Sequence, residues 1–354
     1  MSQITNSVHT AGAILSIDLD VIKSNYQRLC QELGDVPCAA VVKANGYGLG
    51  VGPVATALWQ AGARTFFVAQ IDEGIELRAV LPDADIHILV GFLHGSDDAF
   101  RQFNLIPVLN SLDQIDRWKG RGRCDVHVDT GMTRLGLAPD EVDQIPDGLD
   151  IDVLMTHLAC ADDKDHPLTH QQIRTFRQVR DVVAHKRASL ANSSGVFIGP
   201  EAHFDLGRPG CALYGINPTP HQENPMQNPV RLQGKIVQVH EIDTQSSVGY
   251  GATHALEAGQ KLATIAVGYA DGYLRSLSSK GVVYIGEQEV PVVGRVSMDL
   301  ISIDITGLDC EAGQLVDLIG PHNPPDRLAD LCGTIGYEIL TNLGSRYKRI
   351  YKGE

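Results

Sequence analysis

Along the first two-thirds of the chain, short apolar runs alternate with stretches whose apolar positions recur every three or four residues. The runs read as buried strands at 38–43 (CAAVVK), 65–69 (TFFVA), 86–90 (IHILV), 105–109 (LIPVL), 124–128 (CDVHV), 151–155 (IDVLM), 187–191 (RASLA) and near 211–214 (ALYG). Ile22, Tyr26, Leu29 and Leu33 line one helix face, and Ile173, Phe176, Val179 and Val183 line another, with Pro167 near the start of the second helix. Eight short strands separated by helices predict an α/β architecture, a (β/α)8 TIM-type barrel, with an open doubly wound sheet as the alternative. After about residue 228 the texture changes. "KIVQVHEI", "KLATIAVGY" and "LISIDI" are strand-like, and "YIGEQEVPV" reads as a hairpin around Gly286. The pattern predicts three parts: an N-terminal segment 1–18, read as a strand packing with the C-terminal domain, a barrel over 19–228, and a mainly β C-terminal domain over 229–354, with the Pro/Asn-rich stretch 217–230 at the boundary.

Charge narrows the partners. The formal net charge of −14 argues against nucleic acid and anionic membrane surfaces. No apolar run approaches a membrane span, and the first basic residue is Lys23, so neither a spanning segment nor a secretory leader is expected. Seven cysteines, an odd number without a C-x-x-C pair, read as free thiols of a cytoplasmic protein. His157-x-x-Cys160 is too sparse for a metal site, and no metal is expected.

In the barrel reading, chemistry-bearing residues gather at the C-terminal ends of the strands, where such barrels carry their active sites. Lys43 ends the first strand, Arg134 follows the fifth, His157 ends the sixth, Ser193 follows the seventh, and Arg208-Pro209-Gly210 adjoins the eighth.

These residues lie in "AVVKANGYGLG" (40–50), "VDTGMTRLG" (128–136), "MTHLACAD" (155–162), "ANSSG" (191–195) and "LGRPGCALYG" (206–215). Further on come "SVGYGATH" (247–254), "VGYADGYLR" (267–275), "VGRVSMD" (293–299) and "TIGYEI" (334–339). In this order, over nearly the whole chain, they resemble the motifs of alanine racemases. The resemblance implies a barrel that binds pyridoxal 5'-phosphate, a β domain, and a homodimer with shared active sites. The implied reaction interconverts L- and D-alanine, supplying D-alanine for the cell wall or serving alanine catabolism.

The resemblance also implies roles. Lys43 carries the cofactor and is one base; Tyr250, from the partner chain, is the other. Tyr47, Ser193, Gly210 and Tyr337 match phosphate-binding positions. Arg208 matches the arginine facing the pyridine nitrogen, and His157 the histidine linking it to the catalytic tyrosine. Arg134 and the Met298 backbone N–H match substrate-carboxylate positions, with Asp299 beside them at a catalytic-site position. Tyr269, Asp162, Arg275 and Arg295 match the substrate access corridor. The chemistry calls for these types: the Cα proton leaves one face and returns to the other, so two bases are needed around a cofactor that acts as electron sink.

Two positions depart from the pattern. Where many relatives carry a carbamylated lysine that orients the arginine, this chain has His127, which cannot carry that modification; His127 itself or an ordered anion is expected to support Arg134. Thr133 stands where glycine is common. Two rival readings use the same barrel. A decarboxylase places an acid at the pyridine nitrogen, against Arg208, and a non-catalytic PLP-binding protein does without the β domain and Tyr250.

Overall fold

The structure, a computed structural model, describes residues 10–353; residues 1–9 of the expected N-terminal segment, and Glu354, lie outside it. The chain divides into two units, one over Asp20–Gln227 and the other combining the N-terminal segment through Leu19 with the chain from Asn228 onward. Among the described residues no helix is long and apolar enough to cross a membrane.

Strand β1 (Ala13–Asp18) belongs to the second unit and is described with it. The first unit follows with β2 (Ala40–Val41), β3 (Thr65–Val68), β4 (Asp85–Ile88), β5 (Ile106–Leu109), β6 (Cys124–His127), β7 (Ile151–Met155) and β8 (Arg187–Ser189), each parallel to the next. Their residues are buried almost without alternation, as expected of strands covered on both faces. Phe66, Phe67, Val108, Val126, Val153 and Leu154 are wholly enclosed. On the helix Leu19–Leu33, Ile22, Tyr26, Leu29 and Leu33 are buried, and the helix Pro167–Val182 turns Ile173, Phe176 and Val179 inward.

The eighth strand is a correction. Residues 211–214 form a 3-10 turn, and the strand position is taken by 205–209. Asp205 N–H donates to Ala188 O (2.9 Å) and Arg208 N–H to Ala191 O (2.8 Å) on one side. On the other, Ala39 N–H donates to Gly207 O (2.8 Å) and Val41 N–H to Pro209 O (3.1 Å), closing the barrel. "LGRPG" escapes a hydrophobic-run criterion because it carries two glycines, a buried arginine and a proline with no N–H to give.

In the second unit β9 (Val230–Glu241), of 12 residues, is the organiser. It is followed by β10 (Ser246–Val248), β11 (His254–Leu256), β12 (Lys261–Ile265), β13 (Val282–Ile285), β14 (Gln288–Val293), β15 (Ile301–Asp304), β16 (Leu315–Ile319) and β17 (Lys348–Lys352). The first half of β9 pairs with β1 and β16 and its second half with β12, so β9, β12, β15, β14, β13 and β16 close into a ring. Strand β1 lies antiparallel to β9 and parallel to β17, which gives Ala13–Asp18 its place in this unit. The expected hairpin at Gly286 joins β13 to β14, with Gly286 at φ 63°. Strands β10 and β11 form a separate ribbon with Tyr250 in its turn.

Candidate active site

Lys43 leaves β2 at the C-terminal end of the barrel strands and is half-buried. The chain after it makes a left-handed turn: Ala44 (φ 53°, ψ 48°), Asn45 (φ 55°, ψ 50°), Gly46 (φ 61°, ψ 48°) and Tyr47 (φ 53°). For residues with a Cβ that conformation costs roughly 1–2 kcal/mol each, and the surroundings enforce it. Glu73 accepts from Ala44 N–H with one carboxylate oxygen (2.5 Å) and from Ala69 N–H (2.8 Å) and Gln70 N–H (3.0 Å) with the other. Asn45 Oδ1 accepts from Val51 N–H at 2.8 Å. The Lys43 ammonium is thereby fixed at its root. Burial first, then the Arg134 charge, lowers its pKa from the usual lysine value, against opposing pulls from Glu73 and Cys211.

Tyr47 stacks on Tyr214 with ring centroids 4.5 Å apart, and Tyr214 Oη donates to Val41 O at 3.0 Å. Ser193 Oγ accepts from Gly210 N–H (2.9 Å) and Ala212 N–H (3.2 Å), which leaves its own hydrogen to donate outward. A Cβ at Gly210 would collide with the Tyr47 hydroxyl, so glycine is required where the two loops meet. Tyr47, Ser193 and Gly210 therefore come together where the two loops meet.

Arg208 is buried, and its guanidinium donates to Thr156 O at 2.7 Å and to Ser189 Oγ. Among the described residues no hydrogen bond joins it to His157; the two interact only through their fields. The His157 backbone is held instead by Gln172, whose Nε2 donates to His157 O (2.9 Å) and to Thr130 Oγ1 (3.2 Å). Asp129 accepts from Gly131 N–H (2.9 Å) and Met132 N–H (2.8 Å), shaping the turn that carries the exposed Arg134.

His127 has a defined tautomer. Asn110 Nδ2 donates to Leu89 O (3.0 Å) and Val108 O (2.8 Å), so Asn110 Oδ1 is the acceptor facing His127 Nδ1 at 2.9 Å. His127 therefore carries its proton on Nδ1 and offers Nε2 as an acceptor. Burial foremost, then the Arg208 charge, pulls His127 down to about 4 and His157 to about 3. Both imidazoles are neutral at pH 7, so His127 brings no negative charge to the place of the family's carbamate. An unfolded imidazole takes up its proton near pH 6.5, so these burials stabilise the fold fully above that pH and progressively less below it. The urea midpoint of the chain is expected to fall as pH drops from about 6.5 toward 4, and to fall less steeply in His127→Asn. A His127→Asn profile as steep as the original would contradict this.

The remaining expected residues lie in the two units as follows. Asp162 lines a cleft of about 430 Å³ in the barrel unit with Ser194, Phe197 and Lys164, and Lys43 and Arg208 are not among its walls. Tyr250 is 73% exposed, between Gly249 and Gly251, both at positive φ. A Cβ at Gly251 would press on the exposed Arg295 guanidinium, placing Arg295 beside the tyrosine's turn. Tyr269 is linked to the Met298 segment: Tyr269 N–H donates to Ser297 O (3.0 Å) and Ala270 N–H to Met298 O (2.9 Å). Tyr337 and Arg275 are exposed on the same unit. Asp299 accepts from Arg346 Nη1 (2.7 Å), whose Nε and Nη2 fork onto the buried Asp271 at 2.5 and 2.8 Å. Arg346, Asp271, Glu73, Asn110 and Gln172 were missed by the sequence reading. Only a side chain's partner marks such positions, and no local spacing shows it.

Family models for the alanine racemase N-terminal domain and C-terminal domain match residues 17–218 and 229–351. An alanine racemase of Rhodospirillum rubrum is 50% identical, the match covering 97% of this chain and 96% of the relative. A protein of Mesorhizobium japonicum named "alanine racemase, catabolic" is 47% identical over 97% of the chain and 94% of its own. Among solved structures, alanine racemase from Bartonella henselae with covalently bound pyridoxal phosphate is similar at a TM-score of 0.92 and 41% identity, covering 97% of this chain and 100% of that one.

Proposed function

The chain belongs to the alanine racemase family, and from that premise we propose that Lys43 and Tyr250 are the two bases with which it interconverts L- and D-alanine. The enzyme depends on pyridoxal 5'-phosphate, as the family does. The single observation that carries the residue assignment is the convergence of Lys43, Tyr47, Ser193, Arg208 and Gly210 at one end of the barrel.

These residues fit the cofactor. Lys43 is a half-buried amine with a lowered pKa, suited to the covalent link. Ser193 Oγ has a spare donor, Tyr47 brings a phenol to the same loop junction, and Gly210 keeps the backbone open to a phosphate; Tyr337 joins them in the family pattern. In the family pattern Arg208, a cation at neutral pH, would meet the ring nitrogen of the bound cofactor and disfavour its protonation. When bound, the cofactor supplies the electron sink for charge developing at Cα.

The chain's own residues move the proton. The Lys43 amine serves one face of Cα, and its depressed pKa favours the free base. The Tyr250 phenol serves the other. In the family pattern Arg134 and the Met298 N–H would hold the substrate carboxylate, with His127, neutral and offering Nε2 as an acceptor, as the proposed support of Arg134. Asp299, steadied by Arg346, stands beside Met298. In the same pattern Tyr269, Asp162, Arg275 and Arg295 would match the positions of the substrate's access path. A phenol 73% exposed on its own chain needs a covering surface before it can work as a base, and a homodimer supplies it. Ile335 (57%) and Met298 (53%) are exposed on the same unit and suit such an interface.

L-alanine incubated with the enzyme in heavy water is expected to yield D-alanine carrying deuterium at Cα. Carbon dioxide release without D-alanine would instead indicate a decarboxylase. Exchange no faster than with free pyridoxal phosphate would indicate a carrier.

A further inference from the structure

Deep in the barrel lies an acid–imidazole pair that the site described above does not use. His87 on β4 and Asp125 on β6 are both fully enclosed, with His87 Nδ1 2.5 Å from one Asp125 oxygen. The other Asp125 oxygen accepts from Val153 N–H at 3.1 Å. The His87 ring stacks on Phe67 with centroids 4.5 Å apart, and the Arg208 guanidinium carbon lies 5.9 Å from the centroid of that same Phe67 ring. Arg208, Phe67, His87 and Asp125 thus succeed one another through the barrel interior.

Arg208 gives its hydrogen bonds to uncharged oxygens, and among the described residues no carboxylate forms an ion pair with it. A cation taken out of water without a counter-charge is costly, of the order of several kcal/mol, and a nearby buried anion would offset that cost. Asp152 lies close to His87 and Asp125, but it is committed to Arg187 (2.7 Å) and Arg123 (3.6 Å). Those commitments also make the three residues a poor metal site. Asp125 is the enclosed acid of this cluster that has no guanidinium of its own.

We propose that Asp125, fixed by His87, is the buried counter-charge of Arg208, and that both are positioning residues for the reaction. The inference rests on the reading of Arg208 as the cofactor-facing cation. Burial pulls Arg208 down to about 10, and Asp125 is the group whose charge pulls it back up. Without that charge the buried guanidinium would keep only its hydrogen bonds to Thr156 O and Ser189 Oγ to offset desolvation, and would hold its place toward the cofactor less firmly.

The test is a double-mutant cycle on the full-length chain with Asp125→Asn and Arg208→Gln. Unfolding is read by tryptophan fluorescence, since both tryptophans, Trp59 and Trp118, lie in the barrel unit. Pyridoxal phosphate affinity is measured alongside. Asp125→Asn is expected to raise the unfolding equilibrium constant and weaken cofactor affinity by about tenfold each when Arg208 is present, and by much less when it is Gln. Equal losses in both backgrounds would overturn the proposal, making Asp125 an ordinary core acid. Should Asp125→Asn fail to fold, His87→Phe keeps the stack on Phe67 and removes the N–H; its losses should depend on Arg208 in the same way, and equal losses would again overturn the idea. Coupling in stability without any change in cofactor affinity would remove the positioning role. None of these results bears on whether the unaltered chain racemises alanine, which the heavy-water experiment decides.

Discussion

Replacing Lys43 with alanine is expected to lower alanine racemisation by about 10⁴-fold or more, because the proposed covalent anchor and one of the two proposed bases would vanish together. The fold should survive, since Lys43 is only half-buried and the turn after it is held by Glu73 and Asn45 rather than by the lysine side chain. Borohydride reduction of the unaltered enzyme followed by peptide mapping should place the pyridoxyl group on Lys43. A label on another lysine, or an active Lys43→Ala enzyme, would remove the assignment.

Tyr250→Phe tests the second base. The phenyl ring keeps the size of the exposed side chain and removes only the hydroxyl, so stability should hold while racemisation drops by about 10²–10⁴-fold. The loss should have a signature. With Lys43 still in place, the α-hydrogen of one enantiomer should exchange with solvent faster than that enantiomer inverts, since a proton can leave and return only on the lysine's face. Equal slowing of exchange and inversion for both enantiomers would argue that Tyr250 positions substrate instead of moving a proton.

Much of the fold was legible because burial leaves a local trace. Runs such as "TFFVA" and "IDVLM" are apolar on consecutive residues, as strands covered on both faces must be, and they became β3 and β7. The helix faces of Ile22–Tyr26–Leu29–Leu33 and Ile173–Phe176–Val179 followed from spacing alone. The eighth barrel strand was misplaced because Gly207, Arg208 and Pro209 do not look like a strand, and only hydrogen bonds to residues far away in sequence make them one. The left-handed turn after Lys43 was equally hidden: glycines announced permissive backbone, but nothing local marks Ala44 and Tyr47 for positive φ. That conformation is imposed by Glu73, 29 residues on from Ala44.

The same limit applies to the site. Of the proposed site residues, Lys43 and Ser193 stood out through their place after strands, and Tyr47, Arg208 and Gly210 only through the motifs around them. What holds them was invisible. His87 meets Asp125 across 38 residues, and Asp271 meets Arg346 across 75. Pairs that distant leave no periodicity, and each member alone reads as an ordinary polar residue.

The central claim is that each active site takes Lys43 from one chain and Tyr250 from another. Mixed dimers test it most directly. Lys43→Ala and Tyr250→Phe homodimers should each be nearly inactive. In a mixed dimer one site receives both defects and the other receives neither, so random reassortment makes about half the dimers mixed and restores about a quarter of the original sites. Recovery near that level is the expected result. No recovery, with mass spectrometry confirming that mixed dimers formed, would place both bases in one chain and contradict the shared site.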